Sequence, residues 1–430
     1  MRILAIETSC DETAVAIVET GGSGTSRFVR VLASKVSSQI AVHAPFGGVV
    51  PNIARREHEK NLVPVLCAAL KEGGVYEVSS IRYQVLSKKA NASLGTKYSK
   101  LNTLFQREPE LLKKIVKHIA SLRVPEIDAI AVTYGPGLAP ALWVGVNFAR
   151  ALGVLWGKPV IPVNHLEGHI YTNFLPDEGG EISSSKFLIS KQIKKSKTLH
   201  PTSYILNRIS FPALCLIVSG GHTELVLMEK RGSYTILGET LDDAAGEAFD
   251  KVAKMLCLGY PGGPAISALA EMQIRSRSGP TDPTFRVTLP RPMMQSADYN
   301  FSFSGLKTAV LYFLQDHPEF LKSKGGRAAI AREFQRAVVD VLVSKTVRAA
   351  KEFRVRTVMI GGGVAANSHL RDRLCVVLRR EIPNTNYLIP NTSLTGDNAL
   401  MIALAALLGR RKKLRVGELL SARPNLRLDE

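Results

Sequence analysis

One order of elements occurs twice in this chain. RILAI (2–6), a polar turn around ETSCDET and AVAIVE (14–19) have the pattern of a hairpin, and ALCLIV (213–218), SGGHTE and LVLME (225–229) repeat it. Further along the first half, a strand at 128–133 runs through a Gly-Pro-Gly turn into a helix. Further along the second half, a strand at 355–360 runs through three glycines into a helix. A hairpin followed by strand–glycine–helix, met twice, predicts a duplicated architecture of two similar α/β lobes facing a cleft. A chain of 430 residues, 45% hydrophobic, is long enough to bury two cores.

Two stretches interrupt the repeat and read as surface insertions: 74–112, polar until PELLKKIVKHIASL, and 177–210, which carries Lys186, Lys191, Lys194, Lys195 and Lys197. With GRRKKLR at 409–415 and a net charge of +19, they point to a polyanionic partner, nucleic acid before membrane. The alternative is a solvated basic surface that binds nothing. Five cysteines, odd in number and never in C-x-x-C pairs, argue for a reducing compartment and against a disulfide frame or a cysteine–zinc site. MRILAIE reads as a strand with no targeting peptide ahead of it, and ALMIALAALLG (399–409) is too short to span a bilayer. The expectation is a soluble, cytoplasmic protein without a membrane partner.

NHLEGH (164–169) places His165 and His169 four apart, on one face of a helix. The protease motif H-E-x-x-H has the same histidine spacing, but with its glutamate beside the first histidine. Here Leu166 stands there, and Glu167 lies about 200° around the helix from either imidazole. It points away from any metal they share, so Asn164 and Glu167 read instead as a capping box. The histidine pair is either structural or part of a metal site. TGDNALMIALAALL puts Asp397 where a helix begins, so that Asp is either an N-cap or the carboxylate of a two-imidazole, one-carboxylate site for Fe(II) or Zn(II).

Glycine turns between strand and helix let backbone N–H groups approach an anion. Gly135-Pro136-Gly137 and Gly361-Gly362-Gly363 fit that context, and Ser219-Gly220-Gly221 fits as a hairpin turn. Singly each is only a tight turn; jointly, across two lobes, they imply a nucleotide bridging the cleft. Neither a P-loop nor a G-x-G-x-x-G fingerprint occurs. Asp250 reads either as a hydroxyl-binding carboxylate in the cleft or as a surface partner of Lys254 at i+4.

ETSCDET, YGPGL, H-x-x-x-H, IVSGGHTEL, DDAAGEAFDKVAKMLCLGYPGGP, NFSFSGLKTAV, IGGGVAAN and TGDNALMIA follow one another in an order that resembles the bacterial tRNA N6-adenosine threonylcarbamoyltransferases of the Kae1/TsaD family. The resemblance covers nearly the whole chain apart from the two insertions. It implies an α/β, two-lobed actin/hexokinase/Hsp70-like fold with a duplicated core and a central cleft. The first lobe is expected at 1–170, completed by a C-terminal helix over about 396–430, and the second at 171–395. The implied activity is transfer of a threonylcarbamoyl group from threonylcarbamoyl-AMP to N6 of adenosine 37 in tRNAs reading codons that begin with A. The resemblance makes His165, His169 and Asp397 ligands of one divalent metal, Fe2+ before Zn2+. It makes Ile217, Val218, Ser219, Gly220, Gly221, Asp250, Gly263 and Asn367 donor-binding, while a further contact, often Asp in relatives, falls on Ser267. Asp11 and Glu12 become the candidates for catalytic work. The implied partners are tRNA, a shorter paralogue of the same fold and a small P-loop ATPase. A nonenzymatic scaffold of this fold should lack the metal ligands. A sugar kinase of the fold class would turn over ATP without tRNA.

Overall fold

The structure is a computed structural model describing residues 1–21, 28–75, 98–120, 122–176, 202–272, 286–409 and 413–430. The five lysines at 186–197, most of the 74–112 insertion and residues 410–412 of the basic tail lie outside the described residues.

The first half runs β1 (Arg2–Glu7), β2 (Glu12–Gly21), β3 (Phe28–Ser38), α1 (Pro51–Glu72), α2 (Pro109–His118), β4 (Ala129–Gly135), α3 (Ala139–Trp156), β5 (Val160–Asn164), α4 (His165–Tyr171) and β6 (Thr202–Ile205). The second runs β7 (Ala213–Val218), β8 (Thr223–Lys230), β9 (Ser233–Glu239), α5 (Ala245–Met255), α6 (Gly262–Met272), α7 (Ser304–Asp316), α8 (Lys324–Glu352), β10 (Thr357–Gly361), α9 (Ser368–Glu381), β11 (Asn386–Leu388) and α10 (Ala399–Leu408). The sheets are ordered β5-β4-β1-β2-β3-β6 and β11-β10-β7-β8-β9. Leaving out β6, each reads fifth, fourth, first, second, third. Each also combines an antiparallel hairpin and third strand with two parallel strands on the other side. The expected duplication is thus a repeat of topology.

The central strands are apolar throughout because helices cover both faces of the sheet. Leu4, Ile6, Val15 and Ile17 pack with residues of α1 and α3, such as Leu66 and Phe148. Ile3, Ala5, Ala14 and Ala16, one residue out of phase, pack with Met401, Ile402 and Leu404 of α10. A helix apolar on every side has to be enclosed, and α10 is. α3 is long and apolar enough by composition to cross a membrane, a longer candidate than 399–409. It is, however, 72% buried within this fold, so its apolarity serves the core.

Two expected boundaries move. β6 pairs antiparallel with β3, so the chain is still adding to the first sheet well past residue 170. The C-terminal helix stops at Leu408, and 413–430 is not helical. That tail is tied to both lobes. Leu414 bridges to Val160, Arg423 N donates to Tyr134 O at 2.7 Å, and Asn164 Nδ2 donates to Arg427 O at 3.0 Å. Arg427 in turn reaches Glu239 of β9 at 3.1 Å.

Candidate metal centre and cleft

β5 ends at Asn164, whose side chain accepts the Leu166 amide at 2.9 Å and starts α4 immediately, so the helix opens on His165 at the carboxyl edge of the sheet. Glu167, expected to complete the capping box, accepts from the Tyr234 hydroxyl at 2.6 Å, which ties α4 to the second sheet. α10 is capped not by Asp397 but by Asn398, which accepts from Met401 N at 3.0 Å. Asp397 is therefore free to turn inward. Its Oδ1 lies 3.2 Å from His169 Nε2 and 3.5 Å from His165 Nε2. The three side chains offer ligand atoms all within 4.8 Å of one another. Gly168 makes this approach possible, because a Cβ there would sit 2.9 Å from Met401.

The electrostatics follow from the enclosure. Burial alone would raise the Asp397 carboxyl, but the two imidazoles hold it well below the usual carboxylate range. Burial opposes charge on His165, yet Asp397 and Glu7 together lift it to about 9. Both ring nitrogens of His169 are fully buried without a hydrogen-bond partner among the described residues, although Nε2 faces Asp397. Two imidazole nitrogens and one carboxylate facing one another, with Asp397 the sole polar neighbour of His169 Nε2 among the described contacts, fit a divalent cation of the Fe(II) or Zn(II) type with positions open for a ligand.

The second lobe meets this cluster through its glycines. A Cβ on Gly361 would lie 2.8 Å from His169 O, and one on Gly362 would lie 2.4 Å from Val218 O. A Cβ on Gly246 would lie 2.6 Å from Ser219 O. α4, the triple-glycine turn, the Ser219–Gly221 turn and the start of α5 are therefore contiguous. Asp250 on α5 accepts from Gly262 N at 2.7 Å; it pairs with this backbone amide rather than with Lys254. Asn367 caps α9, and its amide donates to Ser267 Oγ and to Gln335 Oε1, each at 2.9 Å.

Not every glycine expected to receive an anion is free to do so. Gly135 and Gly137 are required by the chain itself, since a Cβ would meet Arg423 O at 1.9 Å and Ser9 O at 2.7 Å. Gly220, Gly221, Gly263 and Gly363 have open space at the Cβ position. Ile217 and Val218 bury their side chains in opposite cores and are fully buried as residues within the second sheet.

Asp11, buried, ends the turn between β1 and β2, and Glu12, partly buried, begins β2. Burial, then Asp11 and Asp397, push the Glu12 carboxyl well above its ordinary value. The field of Asp11 also reaches Asp250 and Tyr260 in the second lobe. The turn is held from behind by residues that carried no sequence signal. His58 Nε2 donates to Cys10 O at 3.0 Å, and its Nδ1 faces Thr13 Oγ1 at 2.8 Å. Burial takes His58 down to about 4, so it holds this position as a neutral ring. Glu7, the first residue of ETSCDET, was read only as part of a turn and a motif, with no role of its own. It lies fully buried at the end of β1, with Oε2 3.3 Å from His165 Nδ1.

The carboxyl ends of parallel strands in two matching sheets thus converge on one buried cluster flanked by open turns, which defines a two-lobed α/β protein with a candidate metal centre where the sheets meet. The sequence pattern described as tRNA N6-adenosine threonylcarbamoyltransferase matches residues 30–88, 102–183 and 197–404. Proteins of that name from Thermomicrobium roseum and Thermosipho africanus are 42% and 39% identical; the matches cover 94% and 100% of this chain and 91% and 100% of theirs. One from Bacillus subtilis is 38% identical over 100% of this chain and 96% of its own. The chain belongs to the tRNA N6-adenosine threonylcarbamoyltransferase family, transferases of tRNA modification. Among solved structures, a ROK hexokinase from Thermus thermophilus is similar at a TM-score of 0.40 and 13% identity, covering 95% of this chain and 98% of that one.

Proposed function

We propose that this chain transfers the threonylcarbamoyl group of threonylcarbamoyl-AMP to N6 of adenosine 37 in tRNAs reading codons that begin with A. The observation that carries the reading is the convergence of His165, His169 and Asp397 beside turns with open glycines, in a chain of this family. Adenine N6 is a poor nucleophile because its lone pair is delocalised into the ring. The donor is a mixed anhydride that already carries a good leaving group. What remains for the protein is to hold both partners in line and to offset developing negative charge.

In this reading Gly220, Gly221 and Gly263 bring main-chain N–H groups to the adenylate, with Ile217 and Val218 contributing through their backbone. Ser219, Asp250 and Asn367 contact its polar groups. Asp11 and Glu12, between the metal cluster and Asp250, are the candidates for work at the adenine amine. The His–His–Asp cluster holds one divalent cation, Fe2+ with Zn2+ as the alternative, which when bound supplies a Lewis acid for donor oxygens. The first lobe comprises about 1–206 with 396–430, and the second about 207–395. The net charge of +19 supports binding of the tRNA backbone. With no P-loop in its sequence, the chain works in the cytoplasm alongside a shorter paralogue and a small P-loop ATPase.

The test is mass spectrometry of tRNA nucleosides from a strain lacking the modification, after this chain is supplied with those partners. Threonylcarbamoyladenosine should reappear. Its absence, with the protein folded and metal-loaded, would overturn the reading.

A further inference from the structure

Glu7 opens the ETSCDET motif, lies outside the metal trio, and is a fully buried carboxylate at the carboxyl end of β1. A buried carboxylate is tolerated only when donors surround it, and three separate segments supply them. Ser9 N donates to Oε1 at 2.5 Å, from the turn that follows β1. Thr133 Oγ1 donates to Oε2 at 2.5 Å, from β4. His165 Nδ1 lies 3.3 Å from the same Oε2, from the start of α4. The only other polar neighbour of that ring nitrogen among the described hydrogen bonds is Ser9 Oγ at 3.1 Å, a second oxygen able to accept.

We infer that Glu7 is a positioning residue for metal binding: it keeps the proton of His165 on Nδ1 and so leaves Nε2, the nitrogen facing Asp397, to the cation. The inference rests on the reading of His165, His169 and Asp397 as a metal site. A ring nitrogen beside a carboxylate oxygen carries its proton, and the opposite nitrogen then presents its lone pair. Ser9 N and Thr133 Oγ1 fix the plane of the carboxylate, so the imidazole is oriented by the sheet rather than by its own helix.

Glu7→Gln separates this role from a structural one. The carboxamide has nearly the same shape but only one acceptor oxygen. If that oxygen keeps the Ser9 amide, the new NH2 group faces His165 Nδ1, donates to it and moves the ring proton to Nε2. The experiment is chelator competition with Zn2+ as the probe, alongside thermal melting of the metal-free protein. Glu7→Gln is expected to lower Zn2+ affinity about 10–100-fold while the metal-free melting temperature stays within a few degrees of the parent. Thr133→Val, which removes one of the groups fixing Glu7, should give a smaller loss of the same kind. Zn2+ affinity within twofold of the parent in folded Glu7→Gln overturns the inference, as does a loss matched entirely by unfolding. His169→Ala, which does not touch Glu7, separates the two levels. If it abolishes Zn2+ binding while Glu7→Gln does not alter it, the metal site stands and the role of Glu7 fails. If His169→Ala binds Zn2+ like the parent, both fail.

Discussion

The turn Gly361-Gly362-Gly363 allows one perturbation to be graded residue by residue. In Gly361→Ala the new methyl would sit 2.8 Å from His169 O and 3.1 Å from His169 C, both backbone atoms of the metal helix. Carbon reaches its contact minimum at about 3.5–4.0 Å, so β10 and α4 must part by roughly half an ångström or more. Overpacking of this kind costs about 1–3 kcal/mol. With unfolding entropy near 2.1 cal/mol/K per residue, that corresponds to a fall of about 1–3 °C in melting temperature for a chain of this size. The shift matters more at the ligands, whose distances must hold within about 0.2 Å. Gly361→Ala should therefore weaken Zn2+ binding at least about tenfold. Gly363→Ala meets open space, so stability and Zn2+ affinity should be unchanged, while a stable donor analogue that needs the main chain there should bind more weakly. Gly362→Ala combines φ +91° with a contact of 2.4 Å to Val218 O and should fail in every assay. Chelator competition, thermal melting and calorimetry read the three properties separately. Equal Zn2+ affinity and equal melting of Gly361→Ala and Gly363→Ala would refute the claim that the second lobe sets the position of the metal helix.

Three further outcomes are expected. His165→Ala, His169→Ala and Asp397→Ala should each release bound metal and abolish transfer, whereas Glu167→Gln, still able to accept from Tyr234, should retain metal; metal analysis of the purified variants checks both. Asp250→Ala removes the acceptor for Gly262 N and should lower affinity for a donor analogue about tenfold, roughly 1.4 kcal/mol, with tRNA binding by filter assay unaltered. Burial first, and then Glu239, raises buried Glu224 from 4.5 to about 7, which favours its neutral form in the fold. The unfolded chain ionises at lower pH, so this group's stabilisation is complete below about pH 4.5 and declines as pH rises to about 7, by up to roughly 3 kcal/mol. Melting of Glu224→Gln should exceed that of the parent above pH 7 and match it near pH 4.5; a gain at pH 4.5 alone would contradict the sign.

Local order was legible in the sequence because it depends on near neighbours. Apolar runs bounded by turn residues marked β1, β2, β7 and β8, and glycines before helical patterns marked the two crossover units. Asn164 was recognised as a cap because a cap bonds within its own turn. The histidine pair was visible because i and i+4 share a helical face whatever else the chain does. Asp397 could be added only by resemblance, since 228 residues separate it from His169. Packing decided the rest. Asn398 took the cap that Asp397 might have filled, and that released the carboxylate for the cluster. Asp250 turned to the Gly262 amide instead of Lys254, and Glu167 to Tyr234 in the other sheet. The seven glycines read as anion turns divided: Gly135, Gly137, Gly361 and Gly362 press against the chain's own backbone, while Gly220, Gly221 and Gly363 are left open. Thr133 and His58 have no signature at all, and Glu7 has a motif but no legible role, because a buried polar residue inside an apolar strand or helix is explained only by the partner it meets across the fold. Periodicity and turn chemistry set the elements within reach of their own neighbours; which side chains meet in the cleft was decided by close packing between segments hundreds of residues apart.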